Sequence, residues 1–284
     1  MLPNIPKQIA ELAMNTTSKP ISAFSEFISL KLFGKSIGKL RAEAENEYNK
    51  IKQLGEIQNE VNRPFIVEIE TAKAYRQYAN LGSTLLKATP LITSDINNVK
   101  EDNDVFWGLL EHAKDISNED MQTLIAKIIA GEYNSPETYS MSTLQVLKSL
   151  GKKEVKLFEN ICSLLINNNQ LPSNFFSDIG KDLMNSMNFD FRSLLSLQSL
   201  GLFLPNGMTL SIQNSKEKNL VIKYFDKEIS FKCEVQDSMR NLQPFYSLSL
   251  AGAEILQHLN PKFKPEFYEW LKNNYKIADY KIVP

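Results

Sequence analysis

The chain has 284 residues, 43% of them hydrophobic, enough apolar material for one large core or two ordinary ones. Lys and Arg total 32 against 33 for Asp and Glu, so no basic excess marks a strongly nucleic-acid-binding protein. Two cysteines, Cys162 and Cys233, make no zinc spacing and suit a reducing cytoplasm, and only 11 glycines point to a mainly helical fold with few tight turns.

In chain order, residues 5–16 read as a short helix, and Pro3 and Pro6 interrupt anything resembling a secretory leader. No stretch of about eighteen apolar residues predicts a transmembrane helix. Pro20 opens a second segment, Ile21 to Phe33. Ile21, Phe24, Phe27, Ile28 and Phe33 form its apolar side, while Lys31 and Lys35 contribute to a basic surround. Such a helix can lie on an anionic membrane or pack on a protein partner, and these seven residues are the candidate contact site. Packing on protein is the favoured reading, because large exposed apolar faces are rare unless used.

From Ser36 to Asn62, Ile37, Leu40, Ala44, Tyr48, Ile51, Leu54, Ile57 and Val61 recur at helical spacing among charges. The pattern fits a long helix in an intramolecular pair or a short coiled coil. Pro64 sits where a new helix tolerates it, in the first turn, and residues 65–86 continue the periodicity. Glu68 and Glu70, two apart, diverge on a helix and make no acid–base pair. Residues 88–104, with Pro90 and the acidic run Glu101 to Asp104, read as a linker.

A helix follows over 105–114 with Phe106, Trp107, Leu109, Leu110 and Ala113 inward. His112 on it stands alone, without a second ligand at metal spacing. Ser117 is the expected N-cap of the next helix, with Asp120 in its first turn. Met121, Leu124, Ile125, Ile128 and Ile129 give one buried face, and Gly131 reads as a left-handed C-cap. A polar turn centred on Ser135-Pro136 leads to a helix with Leu144, Leu147 and Leu150 inward, closed by Gly151. The next helix starts at Lys152 and buries Val155, Phe158, Ile161, Cys162 and Leu165, which makes Cys162 a small core residue. Glu119, Glu132 and Glu137 read as cap and surface residues. Glu154-Val155-Lys156 imitates a nuclease motif, but a helix start is the wrong setting for it.

Residues 104–162 resemble a bacterial group, domain of unknown function 2806. The similarity rests on Asp115, Ile116, Ser117, Glu119, Met121, Gln122 and Leu124, then Ala130, Gly131, Glu132 and Pro136, then Ser140, Thr143, Leu144, Leu147 and Leu150. Ile125 stands where a large aromatic residue is usual, and Glu137 where a glycine is usual. Leu250 to Ile255 also resembles the family's end, and Ser36 to Ile51 its N-terminal helix. The resemblance implies a bacterial, cytoplasmic protein, with phage defence or stress response as the expected setting, and it implies no activity and no catalytic residues.

Strands are expected only after residue 187. Residues 193–200 form a helix ending at Gly201, and Asn206-Gly207 reads as a hairpin turn. Residues 220–225 and 229–235 form a second hairpin around Asp226-Lys227. Residues 248–256 run from strand into helix, with His258 beyond it. Phe263, Phe267, Trp270 and Tyr275 read as core rather than as a base-stacking surface.

The expected fold class is therefore mainly α: long N-terminal helices over 1–90, a linker over 91–104, a central helical bundle over 105–172, and a winged-helix-like α+β module with β-hairpins over 173–284. No catalytic, cofactor-binding or metal-binding residues are expected. The favoured function is a non-enzymatic interaction protein whose partner is itself, as a homo-oligomer, or another protein, in the cytoplasm or peripherally on a membrane surface, with nucleic acid disfavoured. A membrane-acting effector and a metal-dependent nuclease are the alternatives.

Overall fold

The computed structural model describes residues 63–93, 103–209, 211–213, 219–233, 239–241, 244–276 and 280–282. The helices expected before residue 63 lie outside them. The chain divides into two compact units, Met1–Leu144 and Gln145–Pro284.

In the first unit, helix α1 spans Arg63–Ala88, α2 spans Asp104–Ala113 and α3 spans Glu119–Asn134. Pro64 falls in the first turn of α1, where its missing N–H costs no hydrogen bond. Each of the three helices packs on the other two. Asn103 caps α2 by accepting the Phe106 amide at 2.9 Å, and Phe106, Leu109, Leu110 and Ala113 are buried. The expected face of α3, from Met121 to Ile129, is buried in full. Burying a side chain of this size is worth about 1.5–3 kcal/mol, so the face contributes substantially to the unit's stability.

Both expected ends of α3 move. Its N-cap is Asn118, whose side chain accepts the Met121 amide at 3.2 Å. Ser117 instead accepts from the Asn80 side chain at 3.2 Å. Gly131 does not stop the helix, which runs on to Asn134. Its missing side chain makes room for the Tyr139 ring and hydroxyl, which a Cβ would strike.

Helix α4 (Met141–Ser149) crosses the division between the units. In the second unit, α5 spans Lys152–Cys162. Gly151 begins α5 rather than closing α4: its N–H donates to the Glu154 carboxylate at 3.1 Å. Strand β1 (Gln170–Pro172) then precedes α6 (Lys181–Ser186) and α7 (Phe191–Ser199), so strand structure begins earlier than residue 187. Gly201, at φ +82°, takes the left-handed position after α7, as its sequence position requires.

The remaining strands are β2 (Ser211–Gln213), β3 (Asn219–Tyr224), β4 (Lys227–Cys233), β5 (Met239–Asn241), β6 (Phe245–Ser247) and β7 (Tyr280–Ile282); helices α8 (Leu250–Leu256) and α9 (Pro265–Asn274) lie between β6 and β7. All pairings are antiparallel: β1 with β6, β2 with β5, and β3–β4–β7 in that order. The expected β3–β4 hairpin is present, turning at Phe225-Asp226.

Asn206-Gly207 is not a hairpin turn. Residues 203–208 run along β6, on the opposite edge from β1: Phe203 bridges Leu248, the Leu204 N–H donates to the Ser247 carbonyl at 2.9 Å, and Met208 exchanges two bonds with Phe245 at 2.7 and 2.8 Å. Phe203 to Met208 takes five steps where Leu248 to Phe245 takes three, so the stretch Pro205 to Gly207 holds two extra residues and forms a bulge.

The core of this unit is aromatic. Phe175 lies at its centre, 4.9 Å from Trp270, 5.1 Å from Phe267, 5.8 Å from Phe176 and 6.2 Å from Phe189. Phe267, Trp270 and Tyr275 are buried as expected, whereas Phe263 is half-buried.

Candidate functional site

The family-like motif of the first unit is a set of hydrogen bonds. Asp115 accepts from Gln77 at 2.9 Å, Ser117 and the Lys114 carbonyl accept from Asn80, and Gln122 accepts from both Ser83 and Lys87 at 2.8 Å. The other end of the Gln122 amide donates to the Ile116 carbonyl at 2.9 Å. Asp115, Ser117 and Gln122 thus hold one side of α1 in register beside its buried Leu81, Leu85 and Ala88.

Glu132, expected at the surface, is fully buried. Its carboxylate accepts the Asn103 side chain at 2.8 Å and the backbone amides of Glu137 and Tyr139 at 2.7 and 3.0 Å. A buried carboxylate needs such donors, and these fold the 135–140 turn back on α3, with Glu137 at φ +67°. The turn explains the Gly-Glu pair: Gly131 clears space for Tyr139, and Glu132 ties its backbone.

In the second unit, Cys162, Tyr224 and Glu154 have structural roles. Burial, with the Glu159 carboxylate adding to it, raises the Cys162 thiol well above its ordinary value, which keeps it from acting as a thiolate nucleophile. The Tyr224 hydroxyl donates to the Ser163 carbonyl at 2.8 Å and accepts the Lys264 amide at 3.0 Å. Burial pushes it up to about 12 against the opposing pull of the Lys264 amide. Glu154 caps α5. His112 and His258 are each half-buried. Among the described residues no group of three or more His, Cys, Asp and Glu is arranged to hold a metal ion, and no helix is long and apolar enough to cross a membrane.

An open groove of about 580 Å³ is lined by Asn160, Ser186, Phe189, Phe263, Lys264 and Glu266 among others. The Ser186 hydroxyl there is engaged with the Leu183 carbonyl at 2.8 Å.

The best candidate surface is apolar and lies along α7. Asp190 caps that helix; the Ser193 amide and hydroxyl both donate to it and hold its carboxyl below the ordinary value. Leu194 and Leu197 point inward, while Phe191 is 38% and Leu195 46% exposed. The Phe191 ring lies 5.5 Å from Phe176 and 6.1 Å from Tyr246, which are themselves 5.9 Å apart and half-buried. Three rings this close pack edge to face or tilted and form a continuous aromatic ledge. Met208, on the neighbouring edge of β6, is also exposed and is paired to Phe245.

The site expected from sequence, Ile21, Phe24, Phe27, Ile28, Lys31, Phe33 and Lys35, lies outside the described residues. Sequence reasoning missed the ledge: Phe191, Leu194, Leu195 and Leu197 are no more than one amphipathic face of a nine-residue helix supplies, and nothing in their spacing marks which of them stay exposed.

No curated protein and no solved structure matches the chain. A family model described as "Protein of unknown function (DUF2806)" matches residues 67–272, well over half the sequence and including both the α1 clip and the α7 ledge, and the chain belongs to that family.

Proposed function

We propose that the protein is a non-enzymatic interaction protein that binds a protein partner through the α7 ledge. The observation that carries this is the solvent face of α7, where Phe191 and Leu195 stand exposed and Arg192 is the helix's single charge. The order α5, β1, α6, α7, strand 203–208, β6, with β6 between the other two strands, supports a winged-helix-like reading of the second unit. In that arrangement α7 holds the recognition position. DNA readers line that position with Lys and Arg for phosphates and base edges, whereas exposed aromatic and aliphatic side chains favour a protein surface. The partner is a second copy of the chain or another protein. A bacterial, cytoplasmic setting in phage defence or stress response is the biological frame we propose with it, drawn from the family resemblance.

The test is the double variant Phe191→Asp with Leu195→Asp, both at exposed positions. Sedimentation over a range of concentrations and quantitative capture of partners from cells are compared with the wild type. Loss of self-association, or loss of a captured partner with fold retained, supports the reading. Unchanged mass together with an unchanged set of partners overturns it, and salt-dependent duplex binding abolished by Arg192→Ala would replace it with DNA recognition.

A further inference from the structure

We infer that Asn206 is a site of spontaneous covalent modification, converting in the folded protein to aspartate and isoaspartate. Asn206-Gly207 is the chain's one Asn-Gly pair. The bulge places it outside the ladder: Leu204 and Met208 on either side are bonded to β6, and the stretch Pro205 to Gly207 between them holds two residues more than the β6 edge it faces. Both are exposed. Among the described residues, neither the Gly207 amide nor the Asn206 side chain makes a hydrogen bond. Gly207 has no Cβ to block approach to its nitrogen.

The reaction these features permit is an intramolecular attack. The Gly207 nitrogen gives its proton to solvent base and bonds to Cγ of Asn206; the C–Nδ2 bond breaks and Nδ2 leaves as ammonia. Water then adds to one of the two carbonyl carbons of the resulting succinimide. Opening on the side-chain carbonyl gives aspartate, and opening on the backbone carbonyl gives isoaspartate, with the main chain rerouted through Cγ. The sum is loss of ammonia and gain of water. In an ordered ladder the nitrogen and Cγ are held apart, so a bulge free of ladder bonds is where the near-attack geometry is reached. The residue after Asn206, Gly207, lies close to the ledge, since a Cβ there would sit 3.8 Å from the Tyr246 ring. The inference stands whether or not that ledge binds a partner.

The full-length protein is incubated in mildly alkaline buffer at physiological temperature, and peptides are mapped by mass spectrometry with isoaspartyl methylation as a second readout. Asn206 is expected to convert ahead of every other asparagine, and at a rate within about tenfold of that in denaturant. Gly207→Ala is tolerated, because its methyl group meets Phe245 and Tyr246 at 3.8 Å, ordinary contact. It should slow conversion by about tenfold or more by crowding the nitrogen. The inference is overturned if Asn206 stays intact in the folded protein while converting in denaturant, or if Gly207→Ala converts at the wild-type rate. Circular dichroism confirms that the variant is folded.

Discussion

The carboxylate of Glu132 lies 3.0 Å from the backbone nitrogen of Tyr139, seven residues further on, and no solvent reaches it. Its acceptor role extends to Glu137 and Asn103, so one side chain holds a turn and the cap of α2 together. Glu132→Ala leaves three donors in a dry site and should cost about 2–4 kcal/mol. Glu132→Gln keeps one acceptor oxygen but turns an NH₂ towards a donor, and should cost less than the alanine. Urea unfolding measures both, and hydrogen exchange should rise first at Glu137 and Tyr139. A loss below about 0.5 kcal/mol for Glu132→Ala would show the carboxylate to be idle.

The clip on α1 makes a second expectation. Gln122→Ala removes the acceptor shared by Ser83 and Lys87 and the donor to the Ile116 carbonyl. It should destabilise by about 1–2 kcal/mol. In a double-mutant cycle with Ser83→Ala, the two changes should fall short of additivity by about 0.5–1 kcal/mol. Additive losses would mean that the Ser83–Gln122 bond holds nothing.

A third concerns alkali. Tyr224 and Tyr275 are both pushed up to about 12 from an ordinary value of 10, in each case chiefly by burial. The raised value means that the folded state keeps its proton where the unfolded state has lost it. Their contribution is therefore complete below pH 10 and declines between pH 10 and 12. Melting temperature followed across that window should fall, and Tyr275→Phe should make the fall shallower. An unchanged slope in that variant would count against a buried Tyr275 hydroxyl.

How much of this was legible depends on the range of the interactions. The α3 face from Met121 to Ile129 is written in its own periodicity, and Gly201 in the need for a left-handed residue after α7. The N-cap was misplaced by one because Ser117 and Asn118 are both good caps. The tie that draws Ser117 away comes from Asn80, 37 residues earlier. Gly131 looks like a helix stop in isolation, but its role is set by the Tyr139 ring that folds back onto it. The Asn206-Gly207 pair has the composition of a hairpin turn, and only the two flanking bonds to β6 reveal a bulge. The ledge escaped because burial of Leu194 and Leu197, against exposure of Phe191 and Leu195, is decided by neighbours distant in sequence.

Tyr224 carries a consequence for the lifetime of the native state. Its hydroxyl joins Ser163, 61 residues before it, to Lys264, 40 residues after it. Neither bond can form until chain segments of that length have closed, and contacts of such separation come at the expense of folding speed. The ring is therefore expected to act as a latch set late on the folding path. Interactions absent from the transition state govern how fast a protein opens and leave its rate of formation nearly untouched. Tyr224→Phe should therefore speed the opening of the second unit more than it slows its formation.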